Sequence, residues 1–161
     1  MIIISDTSPI TNLSAINQIQ LLNQLYNTII IPQAVYGEMA NLRADVPGTK
    51  EVKSLPWIHT QTVINSALAD ELKAEIDPGE AEAIALAIEM KADRVIIDDY
   101  QGRMVAARFG LKLIGILGIL LIAKQRGLIE FVKPLMDDLI NIAGFRINPQ
   151  LYTHILQTAG E

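Results

Sequence analysis

At 161 residues, half of them apolar and none of them cysteine, the chain can fill one sizeable core, and it excludes disulfide and thiolate chemistry. The formal charge of −5 argues against broad nucleic-acid affinity, but its sign is unevenly spread. Residues 1–80 hold four Lys/Arg against nine Asp/Glu, residues 81–161 hold nine against nine, and residues 100–133 hold six cations against Glu130 alone. That local basic stripe is compatible with a polyanionic substrate.

The opening "MIIISDTS" has no basic leader region and meets an aspartate after three isoleucines and a serine, so no signal peptide is expected. A cysteine-free chain without a leader is expected in a reducing cytoplasm. The runs "IIIS" (2–5), "TIII" (28–31), "RVII" (94–97) and "KLIG" (112–115) are short and β-branched, as in strands covered on both faces. Helical patterns separate them at 9–25, 33–42, 78–91 and 100–109, and three more follow at 116–126, 130–143 and 148–158. Strand alternating with helix predicts a single α/β domain over 1–161 with a parallel sheet and right-handed crossovers. Residues 43–63, broken by Pro and Gly, predict either a flap or an edge strand near Trp57. The apolar stretch "LIGILGILLIA" between Lys112 and Lys124 has eleven residues. A bilayer span needs about 20, so a buried strand and the start of a buried helix account for it.

In open parallel sheets ligands bind beyond the carboxyl ends of the strands, and Asp6 and Asp98 each follow an apolar run. Ser8 as N-cap with Pro9 at the first helical position would start the next helix and leave Asp6 without a structural task. Of the pair Asp98–Asp99, Asp98 is preferred as the first residue past the strand. On the helix predicted at 33–42, Glu38 shares a face with Val35, Met39 and Leu42, where a carboxylate needs a cationic partner or bends out to solvent. In "DPGEAEAIALAIEM", Asp77 as N-cap, Pro78 and Glu80 form a capping-box pattern. Glu80 lies on the face of Ile84 and Ala87, whereas Glu82 aligns with Glu89 on the wetter side. Four carboxylates gathered at one sheet edge call for a cation. His59 and His154 are isolated, so an all-oxygen Mg²⁺ or Mn²⁺ site is expected rather than zinc. Such an ion suits phosphodiester chemistry. Arg103, five residues after Asp98, is placed either to hold a phosphate or to pair with Asp99.

The order strand-Asp-Thr-Ser, "IPxxVxxE", "GEAEAIALA" and a late strand ending in Asp-Asp resembles PIN-domain proteins, among them the VapC-type toxins of toxin–antitoxin pairs. The strings at residues 77–87, 98–106 and 115–124 are similar to a PIN-like branch that carries "DPGEAEAIALA", "DDxxGRxxA" and "GxLGxLLxAK". The resemblance implies a three-layer α/β/α fold with a central parallel sheet and a Mg²⁺- or Mn²⁺-dependent ribonuclease. By position it implies Asp6, Glu38, Glu80 and Asp98 as catalytic and metal-holding acids, Asp99 as a further ligand, and Ser8 as a polar supporter. It also implies RNA as substrate, a small antitoxin as partner, and a homodimer. The chain departs from the family at the third acid, usually Asp in "DAxIAxxA", where Glu80 and Glu82 compete here, and at the doubled Asp98–Asp99.

Two other functions compete. A phosphatase of the haloacid-dehalogenase class also uses a first-strand Asp, but it requires a second acid two residues later, where this chain has Ser8, and it leaves Glu38 and Glu80 unexplained. A non-catalytic PIN-like binding module would keep the acids only as remnants or as a docking surface.

Overall fold

A computed structural model of the chain describes residues 1–43 and 45–161. Five strands, β1 (Ile3–Ser5), β2 (Ile29–Pro32), β3 (Ile58–Gln61), β4 (Arg94–Ile96) and β5 (Leu113–Ile114), form one sheet in the order β3-β2-β1-β4-β5. Every pairing is parallel, as the β-branched runs predict. The pleat divides the strands between two cores. Ile3, Ile29, Ile31, Ile96 and Ile114 face one. Ile4, Val95 and Ile97 face the other.

Among the described residues ten helices cover the two faces. α1 (Thr7–Ala15), α2 (Gln20–Tyr26), α8 (Ile116–Gln125), α9 (Lys133–Asn141) and α10 (Pro149–Thr158) pack into the first core, together with α3 (Gln33–Ala40) and α4 (Thr49–Ser54). α5 (Ser66–Leu72), α6 (Pro78–Met90) and α7 (Tyr100–Arg108) cover the second. Three layers, α/β/α, result. None of these helices is long and apolar enough to cross a membrane.

The helix expected over 9–25 is two. Asn17 takes a left-handed backbone, φ 58°. The Gln18 N–H then reaches back to Leu13 O at 2.8 Å and the Asn17 N–H to Ser14 O at 3.1 Å. That Schellman closure ends α1, and Asn bears the left-handed geometry better than other side chains. The helix also begins earlier than Ser8 and Pro9 suggest. The Asp6 N–H continues the β1–β4 ladder to Ile96 O at 3.1 Å, and Thr7 turns directly into the helix. Asp6, not Ser8, therefore occupies the N-cap position, and its side chain makes no capping bond.

Of the two readings for 43–63, the edge strand holds. β3 pairs with β2 from Ile29↔Ile58 to Pro32↔Gln61, with only Ile58 of its residues buried. Ala44, within that stretch, lies outside the described residues. The short helices α4 and α5 carry little amphipathic pattern, and tertiary packing through Val52, Ala69 and Leu72 holds them.

The closure at Asn17 predicts a position-specific cost. Asn17→Val should lose about 1–2 kcal/mol in urea unfolding, while Asn17→Gly should match wild type. Equal stability of the Val variant would mean that this residue is not left-handed.

Candidate active site

The strand order reverses between β1 and β4, the place in an open parallel sheet where a crevice forms at the carboxyl ends. A cavity of about 310 Å³ opens there, with Asp6, Glu38, Asp77, Glu80 and Asp99 on its walls and the α1 side chains Ser8 and Asn12 beside them. Each acid arrives by a different local device.

Asp6 stands at the tip of β1 and is 6% exposed. Burial raises its carboxyl to about 6; the Thr7 backbone N–H opposes the rise, and the charges of Glu38, Asp77 and Asp99 add to it. Glu38 is exposed at the rim of α3, while Val35 and Met39 of the same helix are fully buried. Glu38 bends outward from the apolar stripe, and among the described residues no Lys or Arg pairs with it. The Thr7 hydroxyl donates to its Oε2 at 3.1 Å and holds it over the crevice.

Glu80 is set by the start of α6. Asp77 is the N-cap, Pro78 follows, and the Asp77 N–H donates to Glu80 Oε1 at 3.3 Å. Its Oε2 is buried without a partner. Burial foremost, then the negative charges of Asp6 and Asp99, push this carboxyl up to about 8. Gly102 makes the placement possible, because a Cβ there would overlap Glu80 Oε2. Glu82, the competing residue, points elsewhere: its Oε1 accepts from the Ala34 N–H at 3.0 Å and ties α6 to the start of α3.

The doubled aspartate is divided. Asp99 reaches the cavity with Asp6 and Glu80, and its Oδ2 caps α7 through the Gly102 N–H at 3.1 Å. Asp98, the residue preferred from the sequence, does not line this cavity. Its Oδ1 accepts from the Ile116 N–H at 3.0 Å at the start of α8, and its Oδ2 is buried without a partner. Burial raises the Asp98 carboxyl to about 6, while Ile116 and the nearby Arg103 pull it down. Consecutive residues leaving a strand face opposite ways, so a shift of one residue decides which acid enters the crevice. Arg103 does not pair with Asp99. It donates Nη1 to Ile97 O at 2.7 Å, beside Asp98.

The basic stripe at 100–133 is largely spent on structure. Arg108 pairs with Glu75 at 2.7 Å, Lys124 with Glu161 at 2.9 Å, and Lys133 with Asp137 at 2.9 Å. Sequence reasoning also missed Asn12, one helical turn after Ser8. The spacing i, i+4 on α1 was its available signal.

Could these residues hold a cation? The donors are all oxygens, they repel one another, and Glu80 Oε2 is orphaned, which fits a hard divalent ion in chemistry. Among the described residues, no three of them already stand close enough around one point to bind it. The donors are assembled around the cavity but not drawn in.

Fold and crevice thus define a parallel α/β protein with an acidic cleft at its topological switch point. The PIN-domain family DUF3368 matches residues 2–161, and the chain belongs to it. PIN domains are, as a class, of nuclease type. Comparison with curated proteins found no match.

The raised carboxyls fix the sign of a pH effect. Asp6 and Glu80 bind protons more tightly folded than unfolded, so their contribution to stability is complete below the ordinary carboxylate range. It is lost as pH rises through about 6 for Asp6 and about 8 for Glu80. In EDTA the protein should therefore melt at a lower temperature at pH 8 than at pH 6. Glu80→Gln, which keeps the acceptor for Asp77, should stabilise it by about 1–2 kcal/mol at pH 8 and flatten the profile. A wild type more stable at pH 8 than at pH 6 would show that burial in the crevice does not disfavour the charged form of these acids.

Proposed function

We propose that the protein is a metal-dependent ribonuclease whose cutting site is the acidic crevice. The observation that carries this reading is the meeting of Asp6, Glu38, Glu80 and Asp99 from four separate elements around one cavity. Asp6, Glu38, Glu80 and Asp99 would hold a Mg²⁺ or Mn²⁺ ion. Asp98 is left out of that set because it supports α8. When bound, the ion supplies a strong local positive charge that lets these acids stay ionised and polarises the phosphodiester and an attacking water.

The chain's own residues have distinct tasks. Thr7 orients Glu38, the Asp77 N–H orients Glu80, and the Gly102 N–H orients Asp99. Ser8 and Asn12, on the helix face toward the cavity, offer hydrogen bonds to the phosphate and ribose. Glu38 and Glu80 beside Asp6 have no task in a phosphatase of the aspartyl-nucleophile type, which favours the nuclease reading over that one. A toxin role with a small antitoxin partner, a homodimeric assembly and a cytoplasmic location belong to the same proposal, supported by family likeness.

With Mn²⁺, purified protein should cut an unstructured RNA, and Asp6→Asn should lower the rate by about a hundredfold or more, as expected when a metal-holding acid is lost. EDTA should stop cutting. Undiminished cutting by the variant or in EDTA would overturn the assignment, and a folded wild type without activity would favour the binding-module reading.

A further inference from the structure

Next to the acidic crevice lies a larger cavity of about 460 Å³, walled by Leu117, Leu151, Ile155 and Phe145, with Asp98, Arg103 and Arg146 also on its lining. A connecting cleft of about 360 Å³ shares Ser8, Asn12 and Asp99 with the crevice, and Asp98, Phe145 and Arg146 with this cavity. The three form one continuous groove. We propose that the cavity is a nucleotide-binding subsite that takes the base of a nucleotide next to the cut, with its phosphate on Arg146.

Chemistry favours this occupant. The walls are apolar and aromatic, which suits the faces of a base, and the volume lies within the range of about 300–1,000 Å³ typical of small-ligand sites. Arg146 is exposed and forms no ion pair among the described residues. Arg103 spends Nη1 on Ile97 O and keeps its remaining N–H groups. Asp98 sets the orientation. A phosphate driven toward that mostly buried carboxylate would be repelled, so the base enters and the phosphate stays at the exposed arginine.

The loop that supplies Phe145 and Arg146 is already fixed. The Phe145 N–H donates to Leu139 O at 2.8 Å, Gly144 takes φ 73°, and the Asn148 side chain caps α10 through the Leu151 N–H at 2.8 Å. Pinning at both ends leaves little ordering cost on binding. The subsite rests on the nuclease reading only for the RNA identity of the ligand. An apolar peptide side chain would fill the walls but would leave the exposed Arg146 without a counter-charge.

The test is binding without catalysis. Nucleoside monophosphates and a short single-stranded oligoribonucleotide are titrated in EDTA by calorimetry and fluorescence anisotropy. Wild type should bind both. Phe145→Ala should weaken binding about tenfold, the loss of one stacked base. Phe145→Trp should restore it, which excludes a folding defect as the cause. Arg146→Ala should lower the slope of log affinity against log salt by about one for the oligonucleotide. Binding that ignores Phe145 and Arg146, or no binding of either ligand, would overturn the subsite even if Asp6→Asn abolishes cutting. Phe145-dependent binding in a protein whose cutting ignores Asp6 would keep the subsite and remove the nuclease.

Discussion

Burial of carboxylates at one sheet edge is the constraint to which the rest of this structure answers. The strand order places β1 in the centre, and the two parallel neighbours recruited on either side carry their crossover helices away from its tip. A crevice opens at that point in any such sheet. What distinguishes this one is that Asp6 continues the ladder with β4 through its backbone and so cannot withdraw its side chain from the opening. The other acids are brought to it rather than kept away.

Helix starts limit the cost. Asp99 caps α7, Asp98 takes the first N–H of α8, and Glu80 sits in the first turn of α6. Each helix N-terminus presents partial positive charge and unpaired N–H groups, which stabilise a carboxylate there. Glycine does the complementary steric work. A Cβ at Gly115 would stand 2.6 Å from Asp98 Oδ1, so the start of α8 can approach Asp98 only without one. Glu80 is the exception to this relief: one oxygen is held by the Asp77 N–H, the other has no partner, and the charges of Asp6 and Asp99 press on it. Strain of this kind, kept at a crevice while two well-filled cores stabilise the sheet, is the usual signature of a site built for a ligand.

Much of this was legible in the sequence because it depends on short-range rules. β-branched runs announced buried parallel strands, Asp6 at a strand tip announced the crevice, and "DPGE" announced the start of α6. Two further features were not legible, for definite reasons. The choice between Asp98 and Asp99 turns on one residue of register at the end of a three-residue strand, and residue types do not encode that. The division of the first helix at Asn17 depends on a single left-handed residue inside an otherwise continuous apolar pattern. The basic stripe misled because charge counts ignore partners, and Arg108, Lys124 and Lys133 face acids that come from distant or neighbouring turns. Phe145 and Arg146 fall between helices, where no periodicity marks them.

On the proposed reading, the split aspartate pair reconciles an acidic chain with a polyanionic substrate. Asp99 turns toward the crevice, where an ion would reverse the local sign. Asp98 turns toward α8, and its charge is moderated by the Ile116 N–H and by Arg103. One backbone step thus separates a region that becomes attractive to phosphate only when loaded from a region whose attraction is permanent but confined to Arg103 and Arg146. Most of the chain's net charge of −5 sits in the groove itself, where Asp6, Glu38, Asp77, Glu80, Asp98 and Asp99 face only Arg103 and Arg146, so long-range capture of nucleic acid is weak. Recognition then has to come from close contacts along the groove. On the proposed nuclease reading, selection rests on what fits between the acids and Phe145, rather than on collecting polyanions at the surface.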